Sequence, residues 1–314
     1  MDGMPQPYVS DLDAPAPSGF GLRRTLRSAI CCVGVALHSG RQVRVTLRPA
    51  SAGTGIIFHR SDLGVSVPAT HDHVSDTRLC TVLTLGDARV GTVEHLMAAL
   101  AACRITDLLV DVDGPELPVL DGSAGPWIFL LDCAGTVFLD CAARTIVVRR
   151  TVRVTAGDAW AELRPNTSHG GLDLSLSIAF DAAAIGRQAL TLTLSEAMFR
   201  VELADCRTFV LARDITALQS AGLALGGSLD NAIVVDGAQV LNPTGLRSPD
   251  EFVRHKMLDA IGDLALAGAA LNARFMGHKS GHSLNNRVLG ALFADAANWS
   301  WADDAPVARR RVNA

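Results

Sequence analysis

The stretch EFVRHKMLDAIGDLALAG, residues 251–268, predicts a helix built mainly from apolar residues. Three polar residues, His255, Asp259 and Asp263, recur in it at intervals of four. Residues at i and i+4 lie one helical turn apart, so these three side chains share one stripe of the helix. A polar stripe on a helix whose other residues favour burial indicates either a functional site or a set of ion pairs.

His255 and Asp259 are of the types that bind transition metals. Imidazole and carboxylate groups suit Zn²⁺, and side chains one turn apart can converge on a single ion. A catalytic zinc site usually has three protein ligands and one open position, so a third ligand must come from elsewhere in the chain. An ion pair on the helix surface is the alternative, and the spacing does not decide between the two.

His95 is the strongest candidate for the third ligand, because Glu94 precedes it at the start of a predicted helix. A carboxylate beside a metal ligand can act as a base on the water that the metal activates. In the H-E-x-x-H metalloproteases the glutamate follows the ligand, so that motif is absent here. A core histidine with satisfied hydrogen bonds is the alternative interpretation of His95.

Groups of strands alternate with helices along the chain. In the first part, strands are followed by a hairpin that turns at Gly86 and Asp87. A helix with Thr92 as its N-cap comes next, then a strand, then a helix that ends at Gly135. This order predicts an α+β arrangement.

A similar order restarts near residue 144. Strands precede a helix capped by Ser195, a long helix spans 249–270, a short strand lies at 273–278, and a helix follows Gly281. The repetition of this order predicts two α+β domains of similar size. We expect a disordered leader at 1–20, a first domain at 21–135, a linker at 136–144, a second domain at 145–300 with an insertion at about 210–236, and a tail at 301–314.

Composition excludes several classes of protein. The 28 Lys and Arg residues nearly balance the 32 Asp and Glu residues, which leaves no excess charge to drive binding to nucleic acid or to a membrane surface. The seven cysteines form no C-x-x-C pair and are odd in number, which favours a reducing compartment. No segment has the signature of a signal peptide or a membrane span. We therefore expect a cytoplasmic protein.

Six motifs are spread over about residues 21–300. They are GVALHSG (34–40), TVEHLMAAL (92–100), LDGSAGP (120–126), RTF (207–209), EFVRHKMLDAIGDL (251–264) and KSGHSLNN (279–286). In this order they resemble the motifs of one enzyme family, the bacterial UDP-3-O-acyl-N-acetylglucosamine deacetylases of lipid A synthesis.

The resemblance implies two domains, each a two-layer sandwich of a β-sheet and helices, with the active site at their interface. It implies that His95, His255 and Asp259 hold one Zn²⁺ per chain, with Fe²⁺ as the alternative in the cell. The expected reaction is hydrolysis of an N-acetyl group on an acylated UDP-sugar.

The same resemblance assigns catalytic roles. Glu94 is the expected general base and His282 the general acid, with Asp263 holding the imidazole of His282. Thr208 is expected to stabilise the oxyanion. His278 is an alternative acid, although the match to K-S-G-H favours His282.

Further residues are expected to bind the substrate. Lys256 is expected to be one of the catalytic residues. Lys256 and Lys279 are both expected to offer positive charge to the substrate diphosphate. The alternative is that both are solvated surface lysines. The insertion at 210–236 is expected to form an acyl passage. Its paired glycines, Gly226 and Gly227, would let the backbone approach the acyl chain closely. The remaining expected contacts are Leu37, Phe209, Ile215, Gly227 and Ala232.

Two other functions remain open at this stage. A zinc amidohydrolase could act on another N-acetylated sugar or peptide, although a short polar substrate needs no apolar insertion. A non-enzymatic binding protein could use the polar stripe to fix an interdomain contact, and it would carry no stoichiometric metal. We expect the deacetylase to be a monomer.

Overall fold

The computed structural model describes residues 21–167 and 170–302. Within these ranges the chain forms six α-helices and twenty strands, in two domains of the α+β class, as predicted. The expected leader and all but the first two residues of the expected tail lie outside the described residues.

The helices and strands are numbered in chain order. The helices are α1 (Glu94–Ala102), α2 (Gly125–Ala134), α3 (Glu196–Glu202), α4 (Ala212–Ser220), α5 (Glu251–Ala265) and α6 (His282–Phe293). The strands are β1 (Leu22–Leu26), β2 (Ile30–Val35), β3 (Gln42–Pro49), β4 (Ile56–Arg60), β5 (Val65–Pro68), β6 (Val74–Asp76), β7 (Val82–Leu85), β8 (Ala88–Val90), β9 (Leu108–Val112), β10 (Thr136–Ala142), β11 (Thr145–Val148), β12 (Val152–Ala156), β13 (Ala159–Arg164), β14 (Leu172–Ala179), β15 (Arg187–Thr193), β16 (Phe209–Leu211), β17 (Ile233–Asp236), β18 (Gln239–Val240), β19 (Ala270–His278) and β20 (Trp299–Trp301).

The first domain is organised around a five-stranded sheet in the order β2-β3-β9-β4-β5. Strand β3 shows why one face of it is buried: Val43, Val45 and Leu47 alternate with polar residues and are at most 2% exposed. A smaller sheet contains β6, β7 and β8, and the predicted hairpin is confirmed because Leu85 pairs with Ala88 across the turn.

The second domain has a seven-stranded sheet whose central strand is β19. That strand pairs in parallel with β11 and β14 and antiparallel with β13, so it is longer and more central than the short strand predicted from the sequence. Helix α6 packs on β12 and β13, and α5 packs on β14 and β15.

Helix boundaries confirm some of the predicted caps and correct others. Ser195 caps α3 by accepting a hydrogen bond from the backbone of Met198, and α2 ends at Gly135 with φ of 65°. Thr92 is not an N-cap, because α1 begins after Val93 and the Thr92 hydroxyl donates to Glu116 instead.

Two further segments differ from the sequence prediction. Helix α5 is shorter than the predicted 249–270, because the chain turns at Gly268, where φ is 78°, before entering β19. The expected linker at 136–144 consists mostly of β10, which pairs with β1.

The two domains meet where α1 crosses α5. Gly262 lies at the crossing, and a Cβ atom there would be 2.0 Å from the backbone oxygen of Glu94. Only a residue without a side chain allows the helices to approach this closely. This contact brings the first turn of α1 against the polar stripe of α5.

The insertion expected at 210–236 contains β16, α4 and β17. It docks on the first domain through Gly226, whose backbone N–H donates to the oxygen of Leu37 at 2.9 Å. A Cβ atom at Gly226 would lie 2.3 Å from the oxygen of Ala36, so the docking depends on this glycine.

All seven cysteines lie within the described residues, and each has a free thiol. No helix in the described part of the chain combines the length and the apolar character needed to cross a membrane.

Candidate active site

Glu94 and His95 lie in the first turn of α1 and are 3% and 5% exposed. The backbone just before them is strained, because Thr92 is a β-branched residue with φ of 57°. Glu116 holds this conformation by accepting the Thr92 hydroxyl at 3.1 Å, and it also accepts the backbone N–H of His38 at 2.8 Å. The start of α1 is therefore fixed by tertiary contacts.

His95 lies next to His255 and Asp259, the first two residues of the polar stripe on α5. Nε2 of His255 lies 3.3 Å and Nε2 of His95 3.5 Å from Oδ1 of Asp259. One ligand atom from each of the three residues lies within 4.8 Å of the others. Nδ1 of His255 donates to the backbone oxygen of Cys206 at 3.0 Å, so its Nε2 presents a lone pair to the cluster.

The chemistry of this cluster fits a divalent cation. Burial lowers the pKa of His255 to about 4, so its ring is neutral and cannot form an ion pair with Asp259. Among the described residues, Oδ1 of Asp259 is buried without a hydrogen-bond partner. Unpaired lone pairs that converge in a buried site are unfavourable, and a cation between them removes that cost. Two imidazoles and one carboxylate form a donor set typical of catalytic zinc.

The third member of the stripe, Asp263, is fully buried and binds His282. Its Oδ2 lies 3.0 Å from Nδ1 of His282, which is the first residue of α6. Nε2 of His282 in turn lies 3.9 Å from Oε1 of Glu94 and 3.9 Å from Oδ2 of Asp259. Glu94 and His282 therefore flank the cluster from opposite domains.

The two flanking groups have perturbed proton affinities. Burial raises the pKa of Glu94 above its usual value, although the nearby His282 opposes that shift. Burial lowers the pKa of His282, but Asp263 and the other nearby carboxylates outweigh it and raise that pKa to about 9. A carboxylate that accepts protons more readily and an imidazole that holds its proton are suited to general base and general acid roles.

Thr208 and Phe209 follow Cys206, whose oxygen binds His255. The ring of Phe209 lies edge-on to that of His255, with centroids 6.3 Å apart. This segment is held by a buried ion pair that was not predicted from the sequence, in which Arg207 donates to Glu251 at the start of α5. The long separation between these two residues explains why spacing gave no signal for it.

The sequence comparisons agree with this geometry. The model of the UDP-3-O-acyl N-acetylglycosamine deacetylase family matches residues 23–294. The chain belongs to this deacetylase family. A UDP-3-O-acyl-N-acetylglucosamine deacetylase of Acidithiobacillus ferrooxidans is 47% identical over 285 residues, which cover 90% of this chain and 93% of the relative. One of the same name from Actinobacillus succinogenes is 48% identical over 285 residues, covering 89% and 92%.

The two lysines expected to meet the diphosphate lie in different surroundings in this family member. Nζ of Lys256 donates to Oδ2 of Asp259 at 2.8 Å, and the carboxylates around it outweigh burial and raise its pKa. Lys279 has φ of 51° and donates to Asp158 at 2.5 Å. It lines an open cavity of about 420 Å³ together with His278.

His278, the alternative acid, is bound to a neighbouring strand rather than to Asp263. Its Nδ1 lies 2.8 Å from the hydroxyl of Ser177 on β14, and its ring lies near Trp160. Asp263 is instead within hydrogen-bonding distance of His282. The geometry thus favours His282 as the group poised over the cluster.

The residues expected along the acyl passage lie in and around the insertion. A Cβ atom at Gly227 would contact the side chain of Leu37 at 3.7 Å. Ile215 is half-buried on α4, whereas Ala232 is 7% exposed and its oxygen accepts a hydrogen bond from Asn242. Their contacts with substrate stay predictions.

Proposed function

We propose that this chain hydrolyses the N-acetyl group of UDP-3-O-[(R)-3-hydroxyacyl]-N-acetylglucosamine. The products are the free amine and acetate, and the reaction is the committed step of lipid A synthesis. Membership of the deacetylase family supports the substrate, and the buried cluster of His95, His255 and Asp259 is the observation that supports the chemistry.

The metal is Zn²⁺ in this proposal, one ion per chain, with Fe²⁺ as the alternative in the cell. His95, His255 and Asp259 would hold it. When bound, the ion would supply Lewis-acid activation of water and of the acetyl oxygen.

Glu94 serves as the general base. Its Oε2 accepts the backbone N–H of Thr81 at 3.1 Å, which leaves Oε1 on the side that faces His282. Burial supports this role, because it raises the pKa of Glu94 towards the range in which a carboxylate takes a proton from water.

His282 donates the proton that the departing glucosamine nitrogen requires. Asp263 supports this role, since it accepts from Nδ1 and leaves the protonated Nε2 directed towards Glu94 and Asp259. The hydroxyl of Thr208 would donate to the oxyanion of the tetrahedral intermediate.

Positive charge and apolar surface would bind the rest of the substrate. Lys279 opens on the cavity of about 420 Å³, which can admit a polar group such as the diphosphate. Lys256 would place its charge beside the reacting centre through Asp259. The insertion would supply the acyl passage, whereas a deacetylase for short polar substrates would not need it.

Residues 21–135 and 145–300 would be the two domains, and cytoplasmic location and a monomeric state stay predictions.

We expect the purified chain to carry one metal ion and to release acetate from the acylated UDP-sugar. His95→Ala and Asp259→Ala should each lose most of the metal, because a three-ligand site loses affinity steeply with one ligand gone. Metal content measured by plasma mass spectrometry, together with the acetate assay, provides the test. His59→Ala is the matched control, since His59 contacts Ser66 outside the cluster.

Each result of this experiment separates one function from another. Full metal occupancy in both variants would contradict the ligand assignment. A metal-free, inactive wild type would favour the binding protein, and a metal-loaded chain active only on other acetylated compounds would favour a different amidohydrolase.

The acyl passage predicts a strong dependence of kcat/KM on the acyl chain. Each methylene buried in an apolar passage contributes about 0.8 kcal/mol, or about fourfold, so a substrate without the chain should react far more slowly. Ala232→Phe should narrow the passage and penalise long chains more than short ones. A series of acyl lengths measured with both proteins checks this.

Ala217→Phe is the matched control, because Ala217 is exposed on α4 within the same insertion. If Ala232→Phe does not fold, Ile215→Phe replaces it. Equal rates with and without the acyl chain would contradict the substrate while leaving a metal-dependent deacetylase intact.

A further inference from the structure

Thr81 touches both halves of the candidate catalytic machinery. It precedes β7 in the first domain and is fully buried. Its backbone N–H donates to Oε2 of Glu94 at 3.1 Å, and its hydroxyl donates to Oδ1 of Asp263 at 2.5 Å. One residue therefore contacts the proposed base and the carboxylate that holds the proposed acid.

The hydrogen bond from Thr81 completes the set of donors around Asp263. Oδ2 accepts from His282 and from Nδ2 of Asn285 at 2.9 Å, and Oδ1 accepts from Thr81 and more weakly from Nδ2 of Asn286 at 3.4 Å. With two donors on each oxygen, the plane of the carboxylate is fixed. The direction of the His282 ring depends on that plane.

The contact also crosses between the domains. Asn285, Asn286 and His282 all belong to α6 in the second domain, like Asp263 on α5. Among the described residues, the hydrogen bond that Asp263 accepts from the first domain comes from Thr81, and the others come from α6. Its hydroxyl thereby sets the second domain's carboxylate relative to Glu94 on α1.

We propose that Thr81 is a positioning residue that aligns the Asp263–His282 pair with Glu94 across the domain interface. This inference rests on the function proposed above. Its backbone fixes the orientation of Glu94, and its hydroxyl fixes the orientation of Asp263. Because the backbone bond survives substitution, the two effects can be separated by changing the side chain alone.

The test compares Thr81→Val with Thr81→Ser. Valine keeps the shape but removes the hydroxyl, so kcat should fall about 10–100-fold with little change in KM, as when outer hydrogen-bond partners of functional groups are removed. Serine keeps the hydroxyl and should retain kcat within about threefold. Thr84→Val is the matched control on β7, because the Thr84 hydroxyl is hydrogen-bonded to the exposed Ser75, away from Glu94 and Asp263.

A second readout does not depend on turnover. The ring-nitrogen NMR signals of His282 should shift in Thr81→Val and stay unchanged in Thr81→Ser and Thr84→Val, with Tm and metal content measured on each protein. Unchanged kcat and unchanged ring signals in Thr81→Val would overturn the inference, as would equal losses in the valine and serine variants. A wild type that lacks deacetylase activity would instead contradict the proposed function, and the ring signals would still decide the role of Thr81.

Discussion

Glu94→Gln is expected to lower kcat by about 10²–10⁴-fold, the usual contribution of a general base. Glutamine preserves the shape of the side chain and can still accept the backbone N–H of Thr81, but it cannot take a proton from water. The metal content should stay unchanged, because Glu94 is not among the three clustered ligand residues. Acetate release and metal analysis of the same preparation measure both effects.

Glu196→Gln is the matched control for this variant. Glu196 is also the first residue of a helix, α3, but it pairs with Arg200 at the surface. Near-normal turnover in Glu94→Gln would assign the base to another group, with His282 the nearest candidate. Loss of metal along with activity would assign Glu94 a part in holding the ion.

Glu251→Ala is expected to lower the free energy of unfolding by about 3–5 kcal/mol, the usual cost of breaking a buried ion pair. The side chain of Glu251 is 0% exposed and that of Arg207 is 4% exposed. Glu251 accepts from Nε of Arg207 at 2.9 Å and from the backbone N–H of Arg247 at 2.6 Å. Removing the carboxylate would leave the guanidinium buried without its counter-charge.

The stability from this pair should depend on pH in a defined direction. Burial acts to raise the pKa of Glu251, but the hydrogen bonds from Arg207 and Arg247 outweigh it and hold that pKa below its usual value. A carboxyl whose folded pKa is lowered stabilises the fold fully above its unfolded pKa, and this contribution is lost as the pH falls through the folded pKa. Urea unfolding of wild type and Glu251→Ala at neutral and acidic pH checks both predictions.

Asp250→Ala is the neighbouring control. Asp250 pairs with Arg254 near the surface, and such pairs contribute at most about 1 kcal/mol. If Glu251→Ala lowered the free energy of unfolding no more than Asp250→Ala, the prediction that the buried Arg207–Glu251 pair stabilises the fold would be wrong. The Arg207–Glu251 ion pair also affects the candidate site, because it holds the backbone next to Cys206, whose oxygen orients the ring of His255.

Local periodicity and turn chemistry predicted much of the framework. The four-residue interval in α5 places His255, Asp259 and Asp263 on one stripe, because the helical repeat makes that face a property of the sequence itself. The predicted cap at Ser195 and the predicted helix end at Gly135 were also confirmed, because both depend only on backbone groups close in sequence. The resemblance of six ordered motifs predicted the family, which the comparisons confirmed.

Features that depend on distant contacts were missed or misjudged. Thr92 has the sequence signature of an N-cap, but Glu116 holds it in a left-handed conformation instead. Thr81 gave no signal, because its partner Asp263 lies 182 residues away in the chain. The length of β19 was underestimated, since its pairing with strands on both sides sets its extent.

The sequence by itself determined which residues share a helix face and which of them can bind metal or protons. The resemblance predicted that His95 joins His255 and Asp259, and the tertiary structure brings their ligand atoms together. Only the tertiary structure decided that Thr81 reaches both Glu94 and Asp263. The physical reason lies at Gly262, where the missing side chain lets α1 approach α5 until a Cβ atom would lie 2.0 Å from the backbone oxygen of Glu94. Spacing along the chain specifies the face of one helix, whereas close packing between two domains specifies which faces meet.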